Sequence, residues 1–163
     1  MEEGDMTQTA FADWATNARR VFFGLLDDWN RQDAAAMAAR FAERGSLVGF
    51  DGSTIDGRAC IEAHLQPIFA QHPTPLFVAK VREVRRMASG QTLLLRAVAG
   101  MWPRGTAALD PSLNAIQTMV LSMCDGAYRI ELFQNTPAAF HGRPQESDKL
   151  SAELREIGKP KLA

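Results

Sequence analysis

Apolar residues recur at steps of three and four from Phe11 through Trp14, Ala15, Ala18, Phe22 and Leu25 to Trp29. That spacing puts them on one face of a helix, with Asp13, Asn17, Arg20 and Asp27 opposite. Asn30, which tolerates a left-handed backbone, is the expected stop. Asp33 then offers its carboxylate as an N-cap to a second helix over Ala34 to Ala42, with Met37 and Phe41 on its contact face and Gly45 ending it. Leu47, Val48 and Phe50 read as a short strand turned by Asp51-Gly52, with Ser53 to Ile55 returning. A third helix runs from Gly57 to about Gln71, turning Ile61, His64, Leu65, Ile68 and Phe69 inward. Pro67 should kink it, and Pro73 and Pro75 end it.

After Leu76 the apolar period changes to two, and four strands follow at Phe77 to Met87, Thr92 to Met101, Ala115 to Cys124 and Tyr128 to Asn135. Ser89-Gly90 and Asp125-Gly126 are hairpin turns, so their flanking strands should pair antiparallel. The segment Trp102 to Leu113 reads as a long loop that could act as a lid. Helices followed by an antiparallel sheet predict an α+β unit, with three N-terminal helices covered by a curved sheet. Its bounds are residues 10–137, after a flexible 1–9. The extension 138–163 carries one short helix marked by Leu150, Leu154 and Ile157. A sheet bent round helices encloses a conical hollow, the natural place for a ligand.

Composition narrows the function classes. With 46% hydrophobic and 23% charged residues the chain is globular, and a net charge of -1 gives no general attraction to nucleic acid or anionic membrane. The start MEEGDMTQTAFADW lacks the basic, apolar pattern of a signal peptide, and no apolar run approaches the ~20 residues of a membrane span. Cys60 and Cys124 form neither a disulfide framework nor a zinc-ligand spacing, so a reduced, cytoplasmic protein is expected. His64, His72 and His141 are too scattered to predict a metal site.

The stretches LLDDWNRQDAAAMAARFAE, VGFDGSTIDGRACIEAH, LNAIQTMVLS and DGAYRIELFQNTP resemble the SnoaL-like proteins of the nuclear transport factor 2-like superfamily, and within it the SgcJ/EcaC-type group. The resemblance spans roughly residues 15–137 in order. It implies a cone-shaped, cystatin-like α+β barrel, a homodimer formed through the outer sheet face, and a pocket between helices and concave sheet. Superfamily enzymes of this kind include isomerases, dehydratases, cyclases and epoxide hydrolases that use acid-base chemistry without a cofactor; other members are not catalysts. No cofactor is expected here, since no GxGxxG follows a strand.

Several residues are candidates for the hollow. His64 shares a helical stripe with Ile61 and Ile68, so it is either a pocket base or donor, or a buried histidine bonded to a carbonyl or to the Asn135 amide. Asp51 is explained by its turn, with a general base as the sharper alternative. Gln117 sits alone among Ala115, Met119 and Leu121, and a buried amide needs a partner, either a neighbour or a ligand. Strict alternation on the last strand turns Tyr128, Ile130, Leu132 and Gln134 inward, and brings Asn135 in only if a bulge intervenes. Gln134 and Asn135 then either contact ligand or tie strand to helix. Trp29, Phe50 and Trp102 could line an apolar mouth, though core packing explains Trp29 equally. The expected partner is a hydrophobic, polyketide-like small molecule. The two functions this leaves are cofactor-independent acid-base catalysis with His64 as the catalytic residue, and binding or scaffolding without turnover. Dimerisation is expected from apolar residues such as Phe133 on the outer sheet face.

Overall fold

A computed structural model describes residues 3–88 and 90–162, with side chains from Asp13 onward. Met1, Glu2, the Phe11 side chain and Ser89 of the expected Ser89-Gly90 turn lie outside the described residues. The element order is α1 Glu3–Asn30, α2 Ala34–Ala39, β1 Phe41–Val48, β2 Thr54–Asp56, α3 Arg58–Gln71, β3 Leu76–Arg86, β4 Thr92–Trp102, β5 Asp110–Cys124, β6 Ala127–Pro137 and α4 Pro144–Ile157. The backbone is thus helical from Glu3.

Among the described residues six strands form one sheet in the order β2-β1-β6-β5-β4-β3. The pairs are antiparallel except β1 with β6, which run parallel. One face of the sheet packs on α1, α2 and α3 through Phe22, Leu25, Met37, Ile61 and Leu65 against Leu93, Leu95, Met119, Leu121 and Ile130, all buried. The opposite face carries α4, where Leu150 and Leu154 cover Leu76, Val78, Val98, Trp102 and Leu109. Asn114 donates to Ser151 across that contact at 2.9 Å, and Arg82 pairs with Glu153.

Several local expectations change for physical reasons. Helix α2 stops at Ala39, three residues short of Ala42, because Phe41 is drawn into the core as the first residue of β1, opposite Ile130. Gly45 therefore lies inside a strand. A Cβ there would stand 2.4 Å from the Ile130 carbonyl oxygen, so close backbone approach, not helix termination, accounts for it. Asp33 does cap α2, accepting from the Ala36 N–H at 3.0 Å. Helix α3 runs through Pro67, whose unmatched carbonyl partner lies at exposed Ala63, where water can serve it.

The turn after α1 places its left-handed backbone at Gln32 (φ 56°), which frees Asn30 for another task. The buried Asn30 side chain accepts from the Phe77 N–H at 2.8 Å and donates to the Phe77 carbonyl at 3.2 Å, pairing with the edge of β3 as a neighbouring strand would. Beside it Trp29 donates to the Pro75 carbonyl at 2.8 Å. Arg104 donates to the carbonyls of Asn30 and Thr74 at 2.6 and 2.7 Å. Those bonds pin the β4–β5 connection, which is also shorter than expected because β5 begins at Asp110; the long lid is absent.

A second polar tether was not evident in the sequence. Asp28 is fully buried, 2.8 Å from Arg31 and 2.5 Å from the Arg40 Nε. Gly24 leaves room for the Arg40 guanidinium, which a Cβ there would meet at 2.4 Å.

Replacing Asn30 with the similarly shaped Leu strands the Phe77 N–H and carbonyl away from water. Each such group costs about 1–3 kcal/mol, so urea denaturation should show a loss of about 2 kcal/mol or more. A loss below about 0.5 kcal/mol would mean the amide does not hold the strand.

Candidate functional site

The last strand decides what faces the hollow. Val120 pairs with Leu132 but Leu121 pairs with Ile130, so Glu131 is an extra residue, a β-bulge. Before it Tyr128 and Ile130 point inward as alternation requires. After it the parity reverses, and Phe133 and Asn135 point inward while Leu132 and Gln134 point to the convex side. Gln134 is exposed and Phe133 is buried in the core, the reverse of the alternation reading for both. Glu131 stays outside, where its carboxylate accepts from the Ser122 hydroxyl.

Between α1, α2, α3 and this concave surface lies a cavity of about 160 Å³, walled by Trp29, Met37, Leu47, Val48, Phe50, Leu65, Ile68, Phe77, Met101 and Phe133, with Gly49, His64 and Asn135 completing its lining. Trp29 forms its side wall, edge-on to Phe69 at 5.2 Å and tilted against Phe77 at 5.3 Å. Its indole N–H is already spent on Pro75. Phe50 is delivered by the β1–β2 turn, which is closed by Gly49 N–H to Ser53 carbonyl at 2.8 Å and by Gly52 N–H to Gly49 carbonyl at 2.9 Å.

His64 stands on α3 one turn from Ile61 and Ile68, at the exposed rim of the cavity, and makes no hydrogen bond or ion pair among the described residues. It is therefore not the buried, carbonyl-bonded histidine of the structural alternative. Asp51 follows the lining residue Phe50 in the β1–β2 turn. Its Oδ1 accepts from the Ser53 N–H at 2.9 Å. The Ser53 N–H and hydroxyl hold its carboxyl below the ordinary aspartate range, with the nearby His64 as a smaller contribution.

Asn135 points into the cavity from β6, and Gln117 lies directly behind it on β5, its registered partner. Gln117 is fully buried and donates from Nε2 to the Asn135 Oδ1 at 3.2 Å. Its Oε1 has no partner among the described residues. Gln117 thus reaches the cavity only through Asn135.

The structure brings Trp29, Phe50, His64 and Asn135 together and leaves out Gln134 and Trp102. Trp102 lies on the opposite face of the sheet beneath α4, because β4 delivers Met101 to the cavity and its next residue to the other side. Sequence reasoning passed over Leu47, Phe77, Met101 and Phe133 as lining. The one available signal was the spacing of Ile130 and Phe133, two large apolar residues an odd step apart on one strand. A wider groove of about 460 Å³ between α1, β3 and the segment after α4 is open to solvent and holds Asp27, Lys159 and Lys161, so it lacks the enclosed apolar wall of this cavity. No group of residues suited to a metal ion occurs among the described residues.

No protein-family model and no curated protein matches the chain. Solved structures do. A domain of unknown function with a cystatin-like fold from Nostoc punctiforme is 26% identical over 86% of this chain and 89% of its own, with a TM-score of 0.72. A nuclear transport factor 2-like protein with a cystatin-like fold from Novosphingobium aromaticivorans is 16% identical over 98% of each chain, TM-score 0.65. A ketosteroid isomerase-like protein from Erwinia carotovora atroseptica is 15% identical over 77% of this chain and 96% of its own, TM-score 0.59. The curved six-stranded sheet with helices in its concave side is thus the cystatin-like fold of nuclear transport factor 2-like proteins.

Proposed function

We propose that the chain binds a small hydrophobic metabolite in the cavity between Trp29, Phe50, His64 and Asn135, and acts on it by cofactor-independent proton transfer with His64 as the base. The observation that carries this reading is an apolar cavity with one ionisable side chain at its rim and one amide inside. An apolar cavity of roughly 150 Å³ accepts a benzene-sized molecule. The ligand buries about one ring, and the rest of a larger, polyketide-like compound projects past His64. All the lining residues fall between positions 29 and 135, inside the unit 10–137. The likeness to a ketosteroid isomerase-like protein supports proton-transfer chemistry, and the quoted sequence stretches support the SgcJ/EcaC-type group. Free Cys60 and Cys124 suit a reducing, cytoplasmic setting, and no helix among the described residues is long and apolar enough to cross a membrane.

A second reading, binding without turnover, is favoured by the absence of any other titratable residue among those lining the cavity. The two separate in one experiment. With a panel of single-ring and fused-ring compounds in D2O, NMR should detect deuterium entering a bound compound, and His64→Ala should slow that exchange by about 100-fold or more while binding persists. Saturable binding with no exchange in either protein would establish the non-catalytic reading.

The placement of Asp51 beside His64 is tested by its own titration. Because its folded pKa is lowered, the stability it lends the turn is complete above the ordinary aspartate value and is lost as pH falls through the lowered one. Carbon-detected NMR should find Asp51 titrating below an unfolded-chain aspartate, and His64→Ala should move it upward. An ordinary value in the wild type would remove His64 and the Ser53 turn as its neighbours.

The same reading includes a homodimer through the convex sheet face. Phe133 cannot serve there, but half-buried Leu94, Val120 and Leu132, registered across β4, β5 and β6, form an apolar band outside. Leu132→Asp should convert a dimer to a monomer in sedimentation velocity at micromolar concentration. A wild-type monomer would end the idea.

A further inference from the structure

The cavity's inner end has a polarity that the apolar walls do not. Gln117 is held by the middle of β5, between Ala97 on β4 and Asn135 on β6. Its Nε2 donates to the Asn135 Oδ1, so the carbonyl end of the Asn135 amide is turned toward the sheet and occupied. The remaining end, Nδ2, is the one Asn135 can offer to the cavity it lines. Reversing both amides would make the Gln117 oxygen the acceptor and leave both of its Nε2 protons buried without partners. Buried N–H groups are orphaned more rarely than carbonyl oxygens, so the observed assignment is the less costly. With the Trp29 N–H bonded to Pro75, the Asn135 Nδ2 is the one side-chain donor inside the walls, His64 standing at the rim.

We infer that Asn135, oriented by Gln117, donates a hydrogen bond into the cavity, so that the ligand is a ring-sized apolar molecule with an uncharged carbonyl oxygen at its buried end. This rests on the ligand-binding reading above and narrows it. The acceptor is uncharged because the lining contains no Lys or Arg, and a carboxylate or phosphate taken out of water there would have no countercharge. Gln117 does not touch the ligand. It is a positioning residue, and its burial at the centre of the sheet keeps it in one orientation.

The test compares cyclohexanone with methylenecyclohexane, the same ring with CH2 in place of oxygen, by ligand-observed NMR on the full chain. Asn135→Leu should weaken cyclohexanone by roughly 3- to 10-fold, the worth of one buried hydrogen bond, and leave methylenecyclohexane unchanged or tighter. Gln117→Met should reproduce most of the cyclohexanone loss, again sparing the hydrocarbon, whose binding reports an intact cavity. In the wild type one Asn135 side-chain N–H proton should move downfield on adding cyclohexanone, and in Gln117→Met it should not. Equal changes for both probes would overturn the inference while leaving the apolar pocket standing. If phenol, a donor, were instead the probe that loses affinity in Asn135→Leu, the amide would be turned the other way and the inference would fall. Failure of the wild type to bind any of the three would overturn the pocket reading and this inference together.

Discussion

The Asn30 carboxamide does for β3 what a seventh strand would do, accepting from one backbone N–H and donating to the carbonyl of the same residue. An edge strand must satisfy its outward backbone groups or leave them to water, and at Phe77 water is excluded by the core. Using a helix residue for this fixes the end of α1 to the start of β3. Trp29, the neighbouring residue, is thereby carried to the cavity wall and held by its own bond to Pro75. Arg104 closes the arrangement from the far side by binding the carbonyls of Asn30 and Thr74, which keeps the β4–β5 connection down against the body. One junction therefore sets the helix position, the cavity's aromatic wall and the loss of a lid.

The second determinant is the Glu131 bulge. A strand shows alternate residues to opposite faces, so one inserted residue exchanges the faces of everything beyond it. Without that insertion Gln134 would project into the cavity, Phe133 would face solvent, and Asn135 would point away from Gln117. With it, the apolar wall is continuous and an amide faces inward opposite another amide. The same exchange puts Leu132 outside beside Val120, making the convex band a consequence of the cavity's construction.

Much of the architecture was legible in the chain. The 3.6-residue period through Trp29, the Asp33 cap and the alternation on β5 each arise from short-range rules, and each is present in the structure, whereas the expected two-residue Asp51-Gly52 turn is a longer connection over 49–53 that takes Phe50 out of the strand. What escaped the reading depended on distant partners. Phe41 leaves a good helical run because Ile130 offers it a buried strand position, and tertiary burial outweighs local propensity. Asp28 gives no local sign of burial, which depends on Arg40 folding back over Gly24 to meet it. For the candidate site the helical contributors, Trp29 and His64, were easier to place than the strand contributors. A helix face is fixed by apolar residues recurring at both three and four steps, whereas a single inserted residue inverts a strand face.

The cavity itself carries a cost that bears on its meaning. Empty volume in a core weakens a fold by about 24 cal/mol per Å³, which for 160 Å³ sets an upper figure of about 4 kcal/mol, reduced where the mouth by His64 admits water. Burying Gln117 with its oxygen unserved adds a further penalty of about 1–3 kcal/mol. Both could be removed by ordinary substitutions, a larger side chain at Met37 or Leu65 and an apolar one at position 117. Stability alone would favour those changes, since a fully apolar, filled core is the cheaper solution. An unfilled space and an unsatisfied amide in contact with its polar wall lie together, rather than scattered through the core, and a ligand with one oxygen on a hydrocarbon frame would offset the cavity term and pair with the amide between them.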